Sequence, residues 1–137
     1  MENNVTLQHQ FDKDAITIEE VKDFLDQFNA KMKIWGILYM DDRVKNVEAI
    51  QELAIVPSYR RIVIESLVEE DYVQGPIIDL LNEQGEMWVF GKNVKDQEVY
   101  IKISIGYQNS QTICISFHIA EHPLKYPFKV INNEKLE

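Results

Sequence analysis

The chain has 137 residues and a formal net charge of -9 at pH 7, a length typical of one domain with its own core. No apolar run approaches the roughly 18 residues of a membrane span, and the first residues lack the order of a signal peptide. We therefore expect a soluble, cytoplasmic protein with no membrane partner. The acidity is uneven, since residues 1–87 hold 8 basic and 18 acidic residues while residues 88–137 hold 6 and 5. Phosphate affinity comes mainly from Lys and Arg, so the net charge argues against a nucleic-acid partner, but the asymmetry indicates that the two parts face different things. Solubility alone also explains an acidic helical face.

Helical patterns dominate the first half. Thr17 and Glu20 form a capping box that opens a helix over residues 17–31. The run KIWGILYM predicts a short strand over residues 33–40, helical spacing then runs from Val44 to Leu53, and Pro57 opens a third helix. From residue 67 onward, acids and a Gly-Pro break are typical of a connecting segment with at most one short strand.

Three strand patterns follow closely, over residues 86–92, 98–105 and 112–118, with short turn-like spacers. They predict an antiparallel meander. The fold class is α+β, with N-terminal helices packed on a C-terminal antiparallel meander. We expect one domain over residues 1–137, with residues 1–14 and 132–137 loosely ordered.

The alternation of the last two strands predicts a polar face. Tyr100, Lys102 and Ser104 share one side of their strand. On the last strand the expected apolar side is Ile113, Ile115 and Phe117, and the polar side is Cys114, Ser116 and His118. Aligning the apolar sides pairs Tyr100 with His118, Lys102 with Ser116, and Ser104 with Cys114.

These residue types suit cleavage of RNA without a metal or other cofactor. Histidine transfers protons near neutral pH, lysine stabilises charge on a phosphate, and tyrosine donates a hydrogen bond or stacks on a base. His118, Tyr100 and Lys102 are therefore the candidate catalytic residues. The alternative is an ordinary solvated sheet face.

The segment EHPLKYPF follows the last strand. His122 and Tyr126 each precede a proline, which favours extended backbone. Lys125 beside Tyr126 is a pattern that binds single-stranded RNA, although a strap that only covers a sheet edge has the same appearance. Lys92 is a further candidate RNA contact. His118, His122 and Glu121 make only a weak zinc pattern, and we expect no metal.

The motifs LVEEDY, MWVFGK and EVYIK resemble the MqsR family of toxins from type II toxin-antitoxin systems, whose wider relatives are the RelE-like ribonucleases. The resemblance covers most of the chain. It implies a compact α+β domain of RelE/MqsR-like type, metal-independent endoribonuclease activity against messenger RNA, and neutralisation by a cognate antitoxin protein.

Residue by residue, Tyr100 and Lys102 fall on the tyrosine and lysine of the family's V-Y-[IL]-K strand. Two positions depart from the pattern: His118 and Gln74 stand where the best-known member type has lysines. Gln74 therefore joins the candidate RNA contacts. The lost lysines and the acidic charge leave a second hypothesis open, a non-catalytic module that keeps the fold and binds RNA or a protein partner.

Overall fold

The computed structural model describes residues 15–79 and 85–129, in which three helices accompany a five-stranded sheet. The helices are α1 (Ile18–Trp35), α2 (Val44–Glu52) and α3 (Tyr59–Glu65), and a 3-10 turn spans Glu69–Asp71. The strands are β1 (Ile37–Tyr39), β2 (Tyr72–Asp79), β3 (Gly85–Val94), β4 (Gln97–Ser104) and β5 (Thr112–Ile119). The α+β prediction is confirmed. The prediction about residues 1–14 and 132–137 lies outside the described residues.

The sheet order is β1-β5-β4-β3-β2. β3, β4 and β5 pair antiparallel, as the predicted meander requires. β2 adds a further antiparallel strand beside β3, and β1 pairs parallel with β5. None of the helices in the described ranges is long and apolar enough to cross a membrane.

Helix α1 begins as predicted. The Glu20 amide donates to Thr17 Oγ1 at 3.2 Å, and the Thr17 amide donates to Glu20 Oε1 at 2.9 Å. The helix continues to Trp35, because the next residue that can stop it is Gly36, at a φ of 83°. The strand predicted over residues 33–40 is therefore wrong in its first half and contains only Ile37–Tyr39.

The main core lies between α1 and one face of the sheet. Phe24 of α1 stacks on Trp88 with ring centroids 4.5 Å apart, and Phe90 lies 6.1 Å away. Buried apolar side chains from α2, α3 and their ends, and from strands β4 and β5, complete this cluster. Among them are Ala49, Leu53, Val63, Ile64, Val99, Ile101, Ile103 and Phe117. Helix α1 does not cover the opposite face of the sheet.

Strand β2 is longer than predicted. Residues 72–79, expected in a connecting segment with at most one short strand, form an eight-residue edge strand. Pro76 has no amide hydrogen, and an edge strand tolerates it because one side of the strand needs no ladder partner.

Strand β5 contains a register shift. Tyr100 pairs with His118 and Lys102 with Ser116, as predicted, but Ile103 then pairs with Cys114. The predicted pairing of Ser104 with Cys114 is therefore wrong, because one extra residue on β5 changes the phase of alternation. Cys114 joins Phe117 in the main core, whereas Ile113 and Ile115 pack with Met87 in a separate cluster.

The outer edge of β5 is closed by a side chain. Beyond the three-residue strand β1, α2 places Asn46 against β5 with only 1% of its surface exposed. Asn46 Nδ2 donates to the carbonyls of Met40 and Ile115, both at 2.9 Å, and its Oδ1 accepts from the Phe117 amide at 3.0 Å. The side chain thus replaces a missing strand and fixes the residues just before His118.

Candidate functional site

The Tyr100 cluster, defined as Tyr100, Lys102, Ser116 and His118, occupies the sheet face opposite α1. The two ladder pairs of β4 and β5 bring its members together. The Tyr100 and His118 rings stack with centroids 5.2 Å apart and planes 14° apart. Lys102 Nζ lies 6.0 Å from the Tyr100 ring centroid. The structure therefore brings the three candidate catalytic residues together.

His118 is half-buried at the end of β5. Its Nδ1 lies 3.1 Å from the Ile119 carbonyl oxygen. A carbonyl only accepts, so in the neutral ring Nδ1 carries the hydrogen and Nε2 becomes the proton acceptor. The local backbone thus sets the tautomer that a general base requires.

Tyr100 is a donor at neutral pH. Burial raises the pKa of its hydroxyl above the ordinary value. It therefore keeps its proton and can donate to an oxygen of a bound substrate. Its ring also supports one face of the His118 ring, which restricts the orientation of the imidazole.

Two cationic residues that the sequence patterns did not single out lie beside His118. Arg43 precedes α2 and Lys45 lies in its first turn, and both line a surface depression with Ser116 and His118. Lys45 Nζ makes an ion pair with Glu121 at the rim. The hydrogen bond from Lys45 holds the pKa of the Glu121 carboxyl below its usual range.

The strap, residues 121–128, crosses the same face at its other end. The Leu124 amide donates to Glu98 Oε1 at 3.0 Å, and Tyr126 Oη donates to Glu98 Oε2 at 2.6 Å. A Cβ at Gly91 would collide with Tyr126 Oη, so the glycine allows the strap to lie on β3. Burial, reinforced by Glu98, raises the pKa of Tyr126. Tyr126 thus anchors the strap.

The remaining candidate RNA contacts are dispersed. Lys125 and His122 are exposed on the strap. Gln74 is exposed on β2 and pairs with Val89, whose partner on β4 is Lys102. These three residues border the face of the Tyr100 cluster, and their contacts with RNA stay predictions.

Lys92 is not a neighbour of the Tyr100 cluster. It pairs with Val99, on the helix side of the sheet, whereas Gly91 pairs with Tyr100. Lys92 Nζ binds Asp71 Oδ2 at 2.9 Å and donates to the Ser66 carbonyl at 3.3 Å. The expected position of Lys92 beside the Tyr100 cluster is wrong, because alternation places it on the same side as Phe90. Lys92 instead lines a depression with Tyr126, and its contact with RNA stays a prediction.

Within residues 15–79 and 85–129, no group of three or more His, Cys, Asp or Glu side chains is arranged to hold a metal ion. Cys114 is buried, and burial raises the pKa of its thiol to about 12. Comparison of the chain with protein-family models, with curated proteins and with solved structures found no match. The MqsR-like resemblance of the sequence motifs therefore stays a prediction.

Proposed function

We propose that the protein is a metal-independent endoribonuclease, the toxin of a cytoplasmic toxin-antitoxin pair, which cleaves RNA by attack of a ribose 2′-hydroxyl. The observation that carries the proposal is the stacked Tyr100 and His118 pair beside Lys102, with His118 Nδ1 against the Ile119 carbonyl, a contact that leaves Nε2 as the proton acceptor of the neutral ring. The sequence resemblance supports it independently through Tyr100 and Lys102.

The reaction needs two proton transfers and one site of charge stabilisation. His118 Nε2 takes the proton of the 2′-hydroxyl while that oxygen forms a bond to the phosphorus. The bond from phosphorus to the 5′-oxygen breaks, and the protonated His118 returns the proton to this leaving oxygen. The products are a 2′,3′-cyclic phosphate and a 5′-hydroxyl.

Lys102 stabilises the additional negative charge of the phosphate in the transition state. Loss of a donor in such a position costs about 3 kcal/mol, or roughly a hundredfold in rate. Tyr100 donates a hydrogen bond that positions the phosphate or the attacking hydroxyl. Lys125, His122 and Gln74, on the border of the face, contact neighbouring nucleotides.

A cleavage assay with purified protein tests the proposal. We expect His118→Ala to abolish RNA cleavage and growth arrest on expression while circular dichroism shows the same fold. Gln51→Ala, an exposed change on α2, is the control and keeps full activity. EDTA leaves cleavage unaffected, and the products carry cyclic phosphate ends. Equal activity in His118→Ala removes the assignment, and activity lost on chelation supports a metal mechanism.

A non-catalytic module that binds RNA or a protein is the second candidate. It is favoured by the carboxylates that engage two of the candidate cations, Glu121 with Lys45 and Asp71 with Lys92. Such pairs lower the positive potential available to a phosphate backbone. Binding of RNA with no cleavage under any tested condition selects this function over the first.

The antitoxin is tested separately. A gene for a small protein next to the gene of this chain, whose coexpression relieves growth arrest and whose product co-purifies with the chain, supports the toxin assignment. Growth arrest that such a neighbour does not relieve contradicts it.

A further inference from the structure

We propose that the depression between α2 and β5 is a second phosphate site, which binds the RNA phosphate next to the one that is cleaved. The inference rests on the proposed function and names a contact of its substrate. The residues of the site are Arg43, Lys45, Ser116 and His118, all of which line the depression. Ser116 and His118 belong to this site and to the Tyr100 cluster, so the two are contiguous.

The cationic side of the depression comes from the start of α2. Arg43 is exposed and is the N-cap residue, but no side chain caps the helix. No acidic residue lies in the first turn. Among the described residues, Arg43 has no ion pair. Helix N-termini favour anions, and the flat guanidinium group binds two phosphate oxygens at once.

The opposite side supplies a hydroxyl. Ser116 as a residue is only 4% exposed, and within the described chain its Oγ makes no hydrogen bond to a side chain or backbone group. The Oγ is not fully enclosed, and the residue lines the depression, so the hydroxyl can donate to an anion bound there. A phosphate oxygen in the depression provides this acceptor, and the hydroxyl distinguishes the depression from an ordinary helix end.

The ion pair of Lys45 with Glu121 controls access at the rim. The two side chains are 57% and 58% exposed, so the pair contributes little to stability. An incoming phosphate can therefore take Lys45 from Glu121 at small cost. The carboxylate of Glu121, the first residue of the strap, is then released to solvent.

Two measurements on the full chain test the site. In the first, inorganic phosphate is titrated and the amide signals of Ser116 and His118 are followed by NMR. In the second, binding of an oligonucleotide with 2′-deoxyribose throughout, which cannot be cleaved, is measured from 50 to 300 mM NaCl. The variants are Arg43→Gln and Ser116→Ala, with Lys22→Gln, an exposed cation on α1, as the control of equal charge.

We expect Arg43→Gln to weaken oligonucleotide binding at least fivefold. The slope of log affinity against log salt falls by about 0.7, the value for one lost contact to a single-stranded phosphate. Ser116→Ala weakens binding without changing the slope, because it removes no charge. Lys22→Gln matches the wild type in both respects. Phosphate shifts the two amide signals in the wild type and not in Arg43→Gln.

Equal affinity and slope in Arg43→Gln and Lys22→Gln overturn the proposal. If the two variants bind the oligonucleotide equally but phosphate still shifts the amide signals of the wild type, the depression binds free phosphate and not an RNA diester. Failure of the proposed function gives a different result: the wild type binds the oligonucleotide through Arg43 but never cleaves RNA. RNA cleavage with an unchanged KM in Arg43→Gln leaves the function standing and removes only the second site.

Discussion

Asn46 should contribute more to stability than any exposed residue of α2, because its side chain takes the place of a strand. In Asn46→Ala the Phe117 amide loses its acceptor, and the carbonyls of Met40 and Ile115 lose a donor. The Ile115 carbonyl and the Phe117 amide lie at the edge of β5, and their bonds to Asn46 are both fully buried. Water can replace only part of these contacts.

The size of the effect follows from those three groups. A buried donor or acceptor left without a partner costs about 1 to 3 kcal/mol. The part-buried Met40 carbonyl contributes least, because it still accepts from the Arg43 amide at 3.2 Å. We expect Asn46→Ala to lower the free energy of unfolding by about 3 kcal/mol. For a chain of this length the midpoint temperature then falls by about 10 °C.

Urea unfolding followed by circular dichroism measures this change. Gln51→Ala is the control, since Gln51 is exposed on the same helix. The slope of unfolding free energy against urea should match the wild type in both variants. If Asn46→Ala and Gln51→Ala agree within about 0.5 kcal/mol, the side chain does not substitute for strand pairing and our account of the β5 edge is wrong.

Three further predictions concern other contacts. Gly91→Ala should displace the strap, since a Cβ there collides with Tyr126 Oη. The raised pKa of Tyr126 should then return toward about 10. Ultraviolet titration of the tyrosines measures this pKa, and a titration curve identical to that of the wild type contradicts the prediction. Asp41→Asn should lower the free energy of unfolding by about 2 kcal/mol at pH 7, because the guanidinium of Arg60, with a 2% exposed side chain, loses its counter-charge, while the 43% exposed side chain at position 41 lets water reach the pair. The hydrogen bond from Arg60 lowers the pKa of Asp41, so the stabilisation from this pair is present above about pH 3.9 and declines as pH falls toward the lower folded value. Urea unfolding of both proteins should therefore show a smaller difference in unfolding free energy between wild type and Asp41→Asn at pH 3 than at pH 7, and an unchanged difference contradicts this. Cys114 should not react with a thiol reagent at pH 8 in the folded chain, since its thiol is buried with a pKa raised to about 12, and labelling as fast as in urea contradicts that burial.

The parts of the site that were predictable depend on alternation within two neighbouring strands. Tyr100 and Lys102 lie in strict alternation with buried residues, so the pairing of Tyr100 with His118 followed from the pattern. The register shift did not. Ile113, Cys114 and Ile115 are all apolar, so the sequence is compatible with either phase, and a one-residue bulge leaves no signature in composition.

The contacts between distant segments were harder to predict from the sequence. Arg43 and Lys45 reach His118 only because β1 pairs parallel with β5 and brings α2 to its edge. A three-residue strand gives almost no pattern of its own. Lys92 is a different case, since its alternation with Phe90 already indicated the helix side and the signal was available in the sequence.

The closure of β5 by Asn46 also bears on how this chain behaves among other chains. Unpaired strand edges are templates for intermolecular β-pairing and aggregation. Among the described strands, β1 offers only three residues at one edge, Asn46 blocks the continuation along β5, and at the other edge β2 is interrupted by Pro76 and two register shifts. Neither side of the sheet presents a long regular row of amides and carbonyls. Asn46 would then protect the protein from self-association as well as from unfolding.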